Sequence, residues 1–383
     1  MKKFSVLISV AITLCVFAGV HFTWLYRADS GNPASRRISI KVMPGATFKA
    51  VQDELVDKGI VTRPNVFRWA AWLTRRETKI KSGKYLFRQG QSVASVLEKL
   101  VSGEIDHFRV VIPEGLMVTE IASVLQREAE VDSALVVEAA SDSSFLAELG
   151  IDAPSLEGYL FPDTYMFEWP LDERSALSRM VHRFGRVYRQ VVGTLPDSVG
   201  LSMNEIVTLA SIVQAEAVFD SEMPRISAVY HNRLKADWRL EADPTVAYAL
   251  GGVKRRLWYK DLKVDSPYNT YKVRGLPPGP ICSPGQAALD AAANPQPGSL
   301  DFYFVADGRG YHVFSKTYFD HLKAKHQLKY GTVPEQMKQK SYFEASGEDE
   351  KVAGGKAAGN GPAVERKQTG TGDGNREDDS EQP

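Results

Sequence analysis

The N-terminus constrains this chain most, because a long stretch of it carries no charged side chain. Residues 4–26 contain no Asp, Glu, Lys or Arg. At about 1.5 Å of rise per residue, a helix over this stretch is long enough to cross a hydrocarbon core of about 30 Å. Trp24 and Tyr26 stand near its end, where interfacial aromatic residues are common. We therefore predict a transmembrane anchor over residues 1–27.

The charges around this stretch predict its orientation. Lys2 and Lys3 precede it and favour a cytoplasmic N-terminus, although Arg27, Arg36 and Arg37 follow it and weaken the asymmetry. We expect a single-pass protein of the plasma (inner) membrane whose bulk is extracytoplasmic, or periplasmic. The alternative is a cleaved signal peptide, whose apolar region is usually only about 7–15 residues. A signal peptide would place the bulk on the same side of the membrane without an anchor.

The charge balance and the cysteine count exclude several classes of protein. Lys+Arg and Asp+Glu both number 47, so the formal net charge of +0 argues against a protein that binds nucleic acid. Cys15 lies in the apolar stretch and Cys282 far along the chain, which leaves no disulfide framework and no cysteine metal site. The seven histidines show no metal-ligand spacing. We expect no metal and no cofactor.

The patterning after the anchor predicts an α+β fold in several parts. Residues 28–37 are polar and form a short linker. Residues 38–106 alternate strand and helix patterns and predict a small α/β domain. Residues 107–335 predict a larger, mainly helical domain with a short hairpin near its end. Residues 336–383 are polar and Gly-rich, which predicts a disordered tail.

One predicted helix, in the stretch "GLSMNEIVTLASIVQAEAVF", carries a carboxylate in an apolar setting. Ser202 and Glu205 form a Ser-x-x-Glu capping box that predicts where the helix begins. Glu216 lies within the apolar arc of this helix and Gln214 lies at its rim. At about 100° per residue, the arc consists of Ile206, Leu209, Ala210, Ile212, Val213 and Ala217, and the opposite side of Thr208, Ser211 and Ala215.

The position of Glu216 allows two interpretations. A carboxylate on a buried face is costly unless it is paired or neutral, and burial raises its pKa. A raised pKa is the property that a general acid needs near neutral pH. Alternatively, the helix lies at the surface and Glu216 pairs with a basic residue such as Arg225 or Arg233. The helical geometry alone leaves both interpretations open.

Motifs elsewhere narrow the chemistry without deciding it. The chain has no His-Glu-x-x-His motif, no Gly-x-Ser-x-Gly elbow and no Walker loop. A carboxyl acting as acid and base on a glycosidic bond is therefore one class of reaction that fits. Asp243 is equally well explained as a helix N-cap before Pro244. Spacing does not distinguish among the candidate second carboxylates Asp243, Glu241, Glu157 and Asp163.

Aromatic segments supply candidate substrate-binding residues. Sugar chains are commonly held by aromatic faces together with amide and hydroxyl groups, the mixed lining typical of a ligand cleft. The segments "EGYLFPDTY" and "PYNTY" offer both kinds of group, although any one of these rings can equally serve core packing. The candidates are Glu157, Tyr159, Asp243, Asn269 and Tyr271.

Six sequence blocks occur along the chain in the order "LEGYLFPDTY", "LASIVQAEA", "AVYHNRL", "LEADPTVAYALG", "SPYNTYKVRGLPPGPICSPGQAALDAA" and "FYFVADGRGYHVFS". Together they resemble the endolytic murein transglycosylase (YceG-like) family. The resemblance runs from the anchor to about residue 335, and the tail lies outside it. It implies a single-pass anchor, a LysM-like domain over residues 38–106 and a catalytic domain over residues 107–335.

The resemblance also implies an activity, that of a lyase which cuts the glycan strands of peptidoglycan internally. The C6 hydroxyl of the muramic acid attacks C1 and leaves a 1,6-anhydro end, so no water is consumed. The implied role is the termination of nascent strands, with penicillin-binding-protein synthases as partners. A noncatalytic peptidoglycan-binding scaffold of the cell-wall synthesis machinery is the alternative, since the anchor and the LysM-like region fit both.

The resemblance selects Glu216 as the catalytic residue. The family block that reads "SIVQAEA" here usually has two acidic positions separated by one residue, of which the second is the catalytic glutamate. The second position is Glu216, and the first is Gln214, which departs from the family pattern. As a hypothesis, Asp243, Asn269 and Tyr271 line the cleft and orient either the sugar or Glu216.

Overall fold

The computed structural model of the chain describes residues 2–27, 37–193 and 200–334. The fold is mixed α and β and about 49% helical, with small sheets, as the sequence predicts at this level. Most of the predicted linker and the whole predicted tail lie outside the described residues. The chain divides into two compact units, Met1–His321 and Leu322–Pro383.

The described residues contain the following elements. The helices are α1 Lys2–Arg27, α2 Phe48–Asp57, α3 Pro64–Leu73, α4 Val93–Ser102, α5 Val118–Ala129, α6 Ser133–Ala139, α7 Ser143–Glu148, α8 Glu173–Val191, α9 Met203–Glu216, α10 Met223–Lys235, α11 Asp243–Ala249, α12 Gln286–Ala293 and α13 Tyr318–Tyr330. Three antiparallel strand pairs are β1 Arg37–Val42 with β2 Gly83–Arg88, β3 Phe108–Val111 with β4 Thr164–Phe167, and β5 Tyr303–Ala306 with β6 His312–Ser315.

Helix α1 covers the charge-free stretch, and its C-terminal end packs on the small α/β region. Phe22 and Tyr26 lie against that region's core, and the Arg63 guanidinium lies 5.8 Å from the centre of the Trp24 ring. Over the part of the chain that the structure describes, no helix combines the length and the apolar character needed to cross a membrane. The transmembrane anchor therefore stays a prediction.

The small α/β region has its own core. β1 and β2 pair so that Ile40 lies opposite Tyr85, and both side chains are buried. Helices α2 and α3 connect these strands, and α4 follows. Ser92 caps the start of α4, and Gly103 ends it with a φ of 75°, a left-handed conformation that glycine adopts without strain. The order of elements agrees with the α/β pattern predicted for residues 38–106.

Two further cores form the larger region. One lies between the β3–β4 pair and helices α5 to α8, with Leu125, Tyr165 and Met180 buried in it. The other is built on α9, α10 and α12, with Val207 and Ile212 at its centre. The hairpin of β5 and β6 forms where the sequence predicts it. Helix α9 is the central element of the second of these cores and ends at the candidate site.

Helix α9 begins as predicted but is buried on more sides than predicted. Ser202 Oγ accepts a hydrogen bond from the Glu205 N–H at 3.3 Å, and the Glu205 carboxylate accepts one from the Ser202 N–H at 2.8 Å, which confirms the capping box. The prediction that Thr208 and Ser211 face away from the core is wrong, since both are buried. A later loop covers this side, and its Ile281 N–H donates to Ser211 Oγ at 3.0 Å.

Candidate active site

Glu216 is the last residue of α9, and a buried tyrosine donates a hydrogen bond to its carboxyl. The chain leaves the helix at Ala217 in an extended conformation. The Tyr230 hydroxyl donates a hydrogen bond to Glu216 Oε1 at 2.9 Å. Tyr230 lies on α10 and is fully buried, with its ring edge-on to Phe304 at 5.9 Å. The core therefore fixes the group that orients the half-buried carboxyl of Glu216.

The surroundings of Glu216 shift its ionisation into the neutral range. Burial raises the pKa of Glu216 to about 7. The Tyr230 hydrogen bond and the positive charge of Arg233 lower this pKa, and the negative charge of Asp243 raises it. A carboxyl with a pKa near 7 is protonated often enough to act as a general acid near neutral pH.

The interpretation of Glu216 as a paired surface charge is wrong. Arg225 binds Asp301 instead, with Nε and Oδ2 2.8 Å apart. Arg233 is buried, and its guanidinium donates to the carbonyls of Phe302 and Leu240. Neither arginine forms an ion pair with Glu216.

An open cleft of about 620 Å³ lies in front of Glu216. Its walls come from the segment after β3, the end of α9, the helix α11 and the segment that follows α11. The lining residues are Glu114, Gly115, Met117, Glu120, Gln214, Ala215, Glu216, Asp243, Pro244, Ala247, Tyr248, Gly252, Val253, Lys254, Arg255, Arg256, Leu257, Ile281 and Cys282. Carboxylates, basic side chains, one side-chain amide and apolar groups share this lining, which suits a polar ligand with apolar faces.

Asp243 lines the cleft together with Glu216, whereas Tyr271 is not among the lining residues and contacts Asp243. Asp243 is the first residue of α11 and Ala242 is its N-cap, so Asp243 does not cap this helix. Its Oδ1 instead accepts a hydrogen bond from the Tyr271 hydroxyl at 2.6 Å. Burial, this hydrogen bond and the Asp243 charge all raise the pKa of Tyr271, which therefore stays a hydrogen-bond donor.

Asn269 lies beneath the loop that carries Tyr271, not on the cleft surface. Its side chain is fully buried, and Nδ2 donates to the carbonyls of Leu262 at 3.0 Å and Val264 at 2.8 Å. Its Oδ1 accepts from the Tyr271 N–H at 3.0 Å. Through these bonds Asn269 holds the backbone of Tyr271 in place.

Glu157 and Tyr159 lie inside the fold and are not part of the cleft lining. The Glu157 carboxylate accepts a hydrogen bond from the Val118 N–H at 3.1 and 3.3 Å, and burial raises its pKa to about 7. The Tyr159 hydroxyl donates to Asn204 Oδ1 at 3.0 Å. A substrate-binding role for either residue stays a prediction.

Sequence reasoning missed two residues of the site, Tyr230 and Glu114. Tyr230 lies within the block "AVYHNRL", but it looks like any apolar-face residue of a helix. Glu114 follows a strand and precedes a turn glycine, the kind of position where binding residues often lie. Over the described ranges, no group of three or more His, Cys, Asp or Glu side chains is placed to hold a metal ion.

The fold and the site are those of an α+β enzyme with a carboxyl whose pKa is raised to about 7 at the wall of an open cleft. The sequence matches the YceG-like family over residues 40–327, and the chain belongs to that family.

Individual relatives agree with this assignment. The chain is 30% identical over 304 residues to the endolytic murein transglycosylase of Bacillus subtilis strain 168, covering 75% of this chain and 84% of that protein. It is 27% identical over 364 residues to the protein of the same name from Streptococcus pneumoniae serotype 2, covering 85% of this chain and 65% of that protein. A crystal structure of a YceG-like protein from Listeria monocytogenes has a TM-score of 0.52 at 31% identity, covering 76% of this chain and 100% of that one.

Proposed function

We propose that the protein is an endolytic murein transglycosylase, a lyase that cuts glycan strands of peptidoglycan between MurNAc and GlcNAc. One observation carries the proposal. The carboxyl of Glu216 lines an open cleft, accepts a hydrogen bond from buried Tyr230 and has a pKa of about 7. The B. subtilis and S. pneumoniae relatives carry the name of this activity, which supports the same conclusion.

A single carboxyl suffices for this reaction. Protonated Glu216 donates its proton to the glycosidic oxygen, and the bond between that oxygen and C1 of the muramic acid breaks. The C6 hydroxyl oxygen of the same sugar then bonds to C1, and the Glu216 carboxylate takes the hydroxyl proton. The products are a 1,6-anhydro end and a strand with a free hydroxyl, and Glu216 is again protonated. No second carboxylate has to activate water, unlike in inverting hydrolysis.

Two neighbours adjust Glu216 for its two steps. The negative charge of Asp243 favours the protonated form that acts as the acid. The Tyr230 hydrogen bond favours the carboxylate that forms once the proton has left. Tyr271 holds the Asp243 carboxylate through its hydroxyl.

The change Glu216→Gln tests the proposal. The variant keeps the shape of the side chain but has no proton to donate, so the rate should fall by about 100- to 10,000-fold. Peptidoglycan is incubated with each protein, and the products are identified by mass spectrometry, with 1,6-anhydro ends expected only from the wild type. Glu138→Gln, an exposed position on α6, is the matched control and should stay active.

Each other result has a definite meaning. Equal activity of the wild type and Glu216→Gln would make the residue assignment wrong. Hydrated reducing ends would identify a hydrolase. No product from either protein would favour the noncatalytic scaffold.

The proposal also covers the location of the chain, a glycan-holding region and a role in the cell. Helix α1 is a single-pass anchor, which the charge-free residues 4–26 and the preceding lysines support, and the bulk of the chain lies outside the cytoplasm. The order β1, α2, α3, β2 supports a LysM-like, glycan-holding region. Strand termination beside cell-wall synthases is the corresponding cellular role. Protease added to intact spheroplasts should degrade the bulk of the chain, and complete protection would overturn this topology.

A further inference from the structure

The cleft contains a second carboxylate, Glu114, that the proposed reaction does not use. Glu114 follows β3, is exposed, and lines the same cleft as Glu216. The backbone around it is fixed, because the Gly115 N–H donates to the Ser283 carbonyl and the Ser283 N–H donates to the Leu116 carbonyl, both at 2.8 Å. The carboxylate therefore extends from a rigid segment into the cleft.

Two neighbours determine where this carboxylate lies. The Gln214 side chain lies close enough to the Glu114 carboxylate to lower its pKa. Gln214 Oε1 in turn accepts the Gly285 N–H at 2.8 Å. A Cβ atom added at Gly285 would lie 2.0 Å from Glu114 Oε1. The carboxylate thus occupies the space that the absent side chain of Gly285 leaves, and Gln214 lies close to both.

The two glutamates of this cleft wall, Glu114 and Glu120, differ in whether a cation pairs with the carboxylate. Glu120 lines the same cleft but forms an ion pair with Lys254. Glu114 forms no salt bridge with any of the residues that the structure describes. Partial burial and the negative charge of Asp220 raise its pKa, and the Gln214 side chain lowers it. A carboxylate without a cation partner can accept hydrogen bonds from a ligand that carries hydroxyl or amide donors.

We propose that Glu114 is a substrate-binding residue that accepts a hydrogen bond from a hydroxyl or acetamido N–H of a glycan sugar near the scissile bond. Gln214 and Gly285 are positioning residues that hold its carboxylate in place. This inference rests on the proposed function, because it names the sugar donors that the same cleft recognises. Sugar rings of murein present such donors and no cation, so an unpaired carboxylate complements them.

A purely structural role for Glu114 makes a different prediction. If Glu114 served only to link the segment after β3 to α9 and α12, its loss would lower stability and leave substrate affinity intact. A substrate contact made in both ground and transition states instead appears as a higher KM with little change in kcat. The KM, the kcat and the thermal midpoint together separate the two roles.

Two variants test the proposal, one by removing the charge of Glu114 and the other by displacing its carboxylate. Glu114→Gln removes the charge and keeps the shape. Gly285→Ala keeps the charge but pushes the flexible end of Glu114 aside, and the Gly285 φ of −77° and ψ of 177° are open to alanine. The matched controls are Glu138→Gln on α6 and Gly185→Ala on α8, both outside the cleft.

The full chain in detergent is assayed on uncrosslinked murein glycan strands. Because a hydrogen bond to a charged group contributes about 1.5–3 kcal/mol, we expect KM to rise about 10- to 100-fold in Glu114→Gln. Gly285→Ala should also raise KM. In both variants kcat should stay within about threefold of the wild type, and the thermal midpoint should not change. The two controls should leave KM unchanged.

A binding measurement separates failure of this inference from failure of the proposed function. Affinity for the same glycan strands is measured for Glu216→Gln alone and with Glu114→Gln added, so that no cleavage is needed. Equal affinities would overturn the substrate-binding role of Glu114, whether or not the wild type is an enzyme. A KM that rises in Glu114→Gln but not in Gly285→Ala would overturn the positioning role of Gly285. Absence of 1,6-anhydro products from the wild type would instead reject the proposed function.

Discussion

Burial raises the pKa of Glu216, and the side chains of Tyr230 and Asp243 then shift this pKa in opposite directions. The Tyr230 hydroxyl stabilises the carboxylate by a hydrogen bond of 2.9 Å, and the charge of Asp243 destabilises it. A general acid must be protonated in the free enzyme, so kcat/KM should fall as pH rises through the Glu216 pKa of about 7. The position of this alkaline limb therefore reports the balance between the two neighbours.

We predict that Tyr230→Phe and Asp243→Asn move the alkaline limb in opposite directions. Tyr230→Phe removes a bond that favours the carboxylate, so the pKa of Glu216 rises and the limb moves to higher pH. Asp243→Asn removes a repelling charge, so this pKa falls and the limb moves to lower pH. The measurement is kcat/KM against pH from about 5 to 9, the range in which such a limb is seen. Shifts in the same direction would show that another group controls the limb.

At the scale of elements, α9 supplies both the rigidity and the position of the catalytic carboxyl. It has 14 residues, with its capping box at one end and Glu216 at the other. At about 1.5 Å per residue these ends lie roughly 20 Å apart. A defect at the cap should therefore alter the stability of the helix without altering the geometry of the cleft.

We predict that Ser202→Ala lowers the free energy of unfolding by about 1 kcal/mol, because the Glu205 N–H loses its side-chain acceptor. Thermal and urea denaturation measure this change, and kcat and KM of the folded protein should equal those of the wild type. Ser123→Ala, an exposed position within α5, is the control and should not destabilise the protein. A change in KM with no change in stability would contradict this view of α9.

At the scale of the whole molecule, the buried Glu157 carboxyl lies where several distant segments meet. It accepts the N–H of Val118 at the start of α5. Burial raises the pKa values of Tyr248 of α11, Tyr268 and Cys282, and the charge of Glu157 raises each of them further. Its own pKa is raised from 4.5 to about 7, first by burial. Folding therefore favours its protonated form.

This shift makes the stability of the fold depend on pH. Because the folded-state pKa of Glu157 is the higher one, its stabilising contribution is complete below about pH 4.5 and is lost as pH rises through about 7. Glu157→Gln mimics the protonated form. At pH 8 it should raise the free energy of unfolding by up to roughly 3 kcal/mol, which is measured as a higher thermal midpoint. The gain should shrink towards pH 5. Glu138→Gln should show no such trend, and a gain independent of pH would contradict the prediction.

Features that depend on residues within a few positions of one another could be predicted from the linear sequence. The Ser202–Glu205 capping box and the hairpin of β5 and β6 both form as the sequence predicts. Helical periodicity placed Glu216 within the apolar arc and Gln214 at its rim, whereas in the structure both are partly buried and both line the cleft. Capping and periodicity act through bonds and packing within about one turn, which is why a linear pattern contains them.

The surroundings of Glu216, in contrast, come from contacts between residues that are far apart in the chain. Tyr230 comes from the next helix, and the loop that buries Ser211 comes 70 residues later. A separation of 71 residues lies between Gln214 and Gly285, so the linear sequence does not show the packing that positions Glu114. Burial, and with it the pKa of a carboxyl, depends on atoms contributed from far along the chain. The sequence could therefore point to the carboxyl, whereas the fold gave it a pKa of about 7 and a cleft to act in.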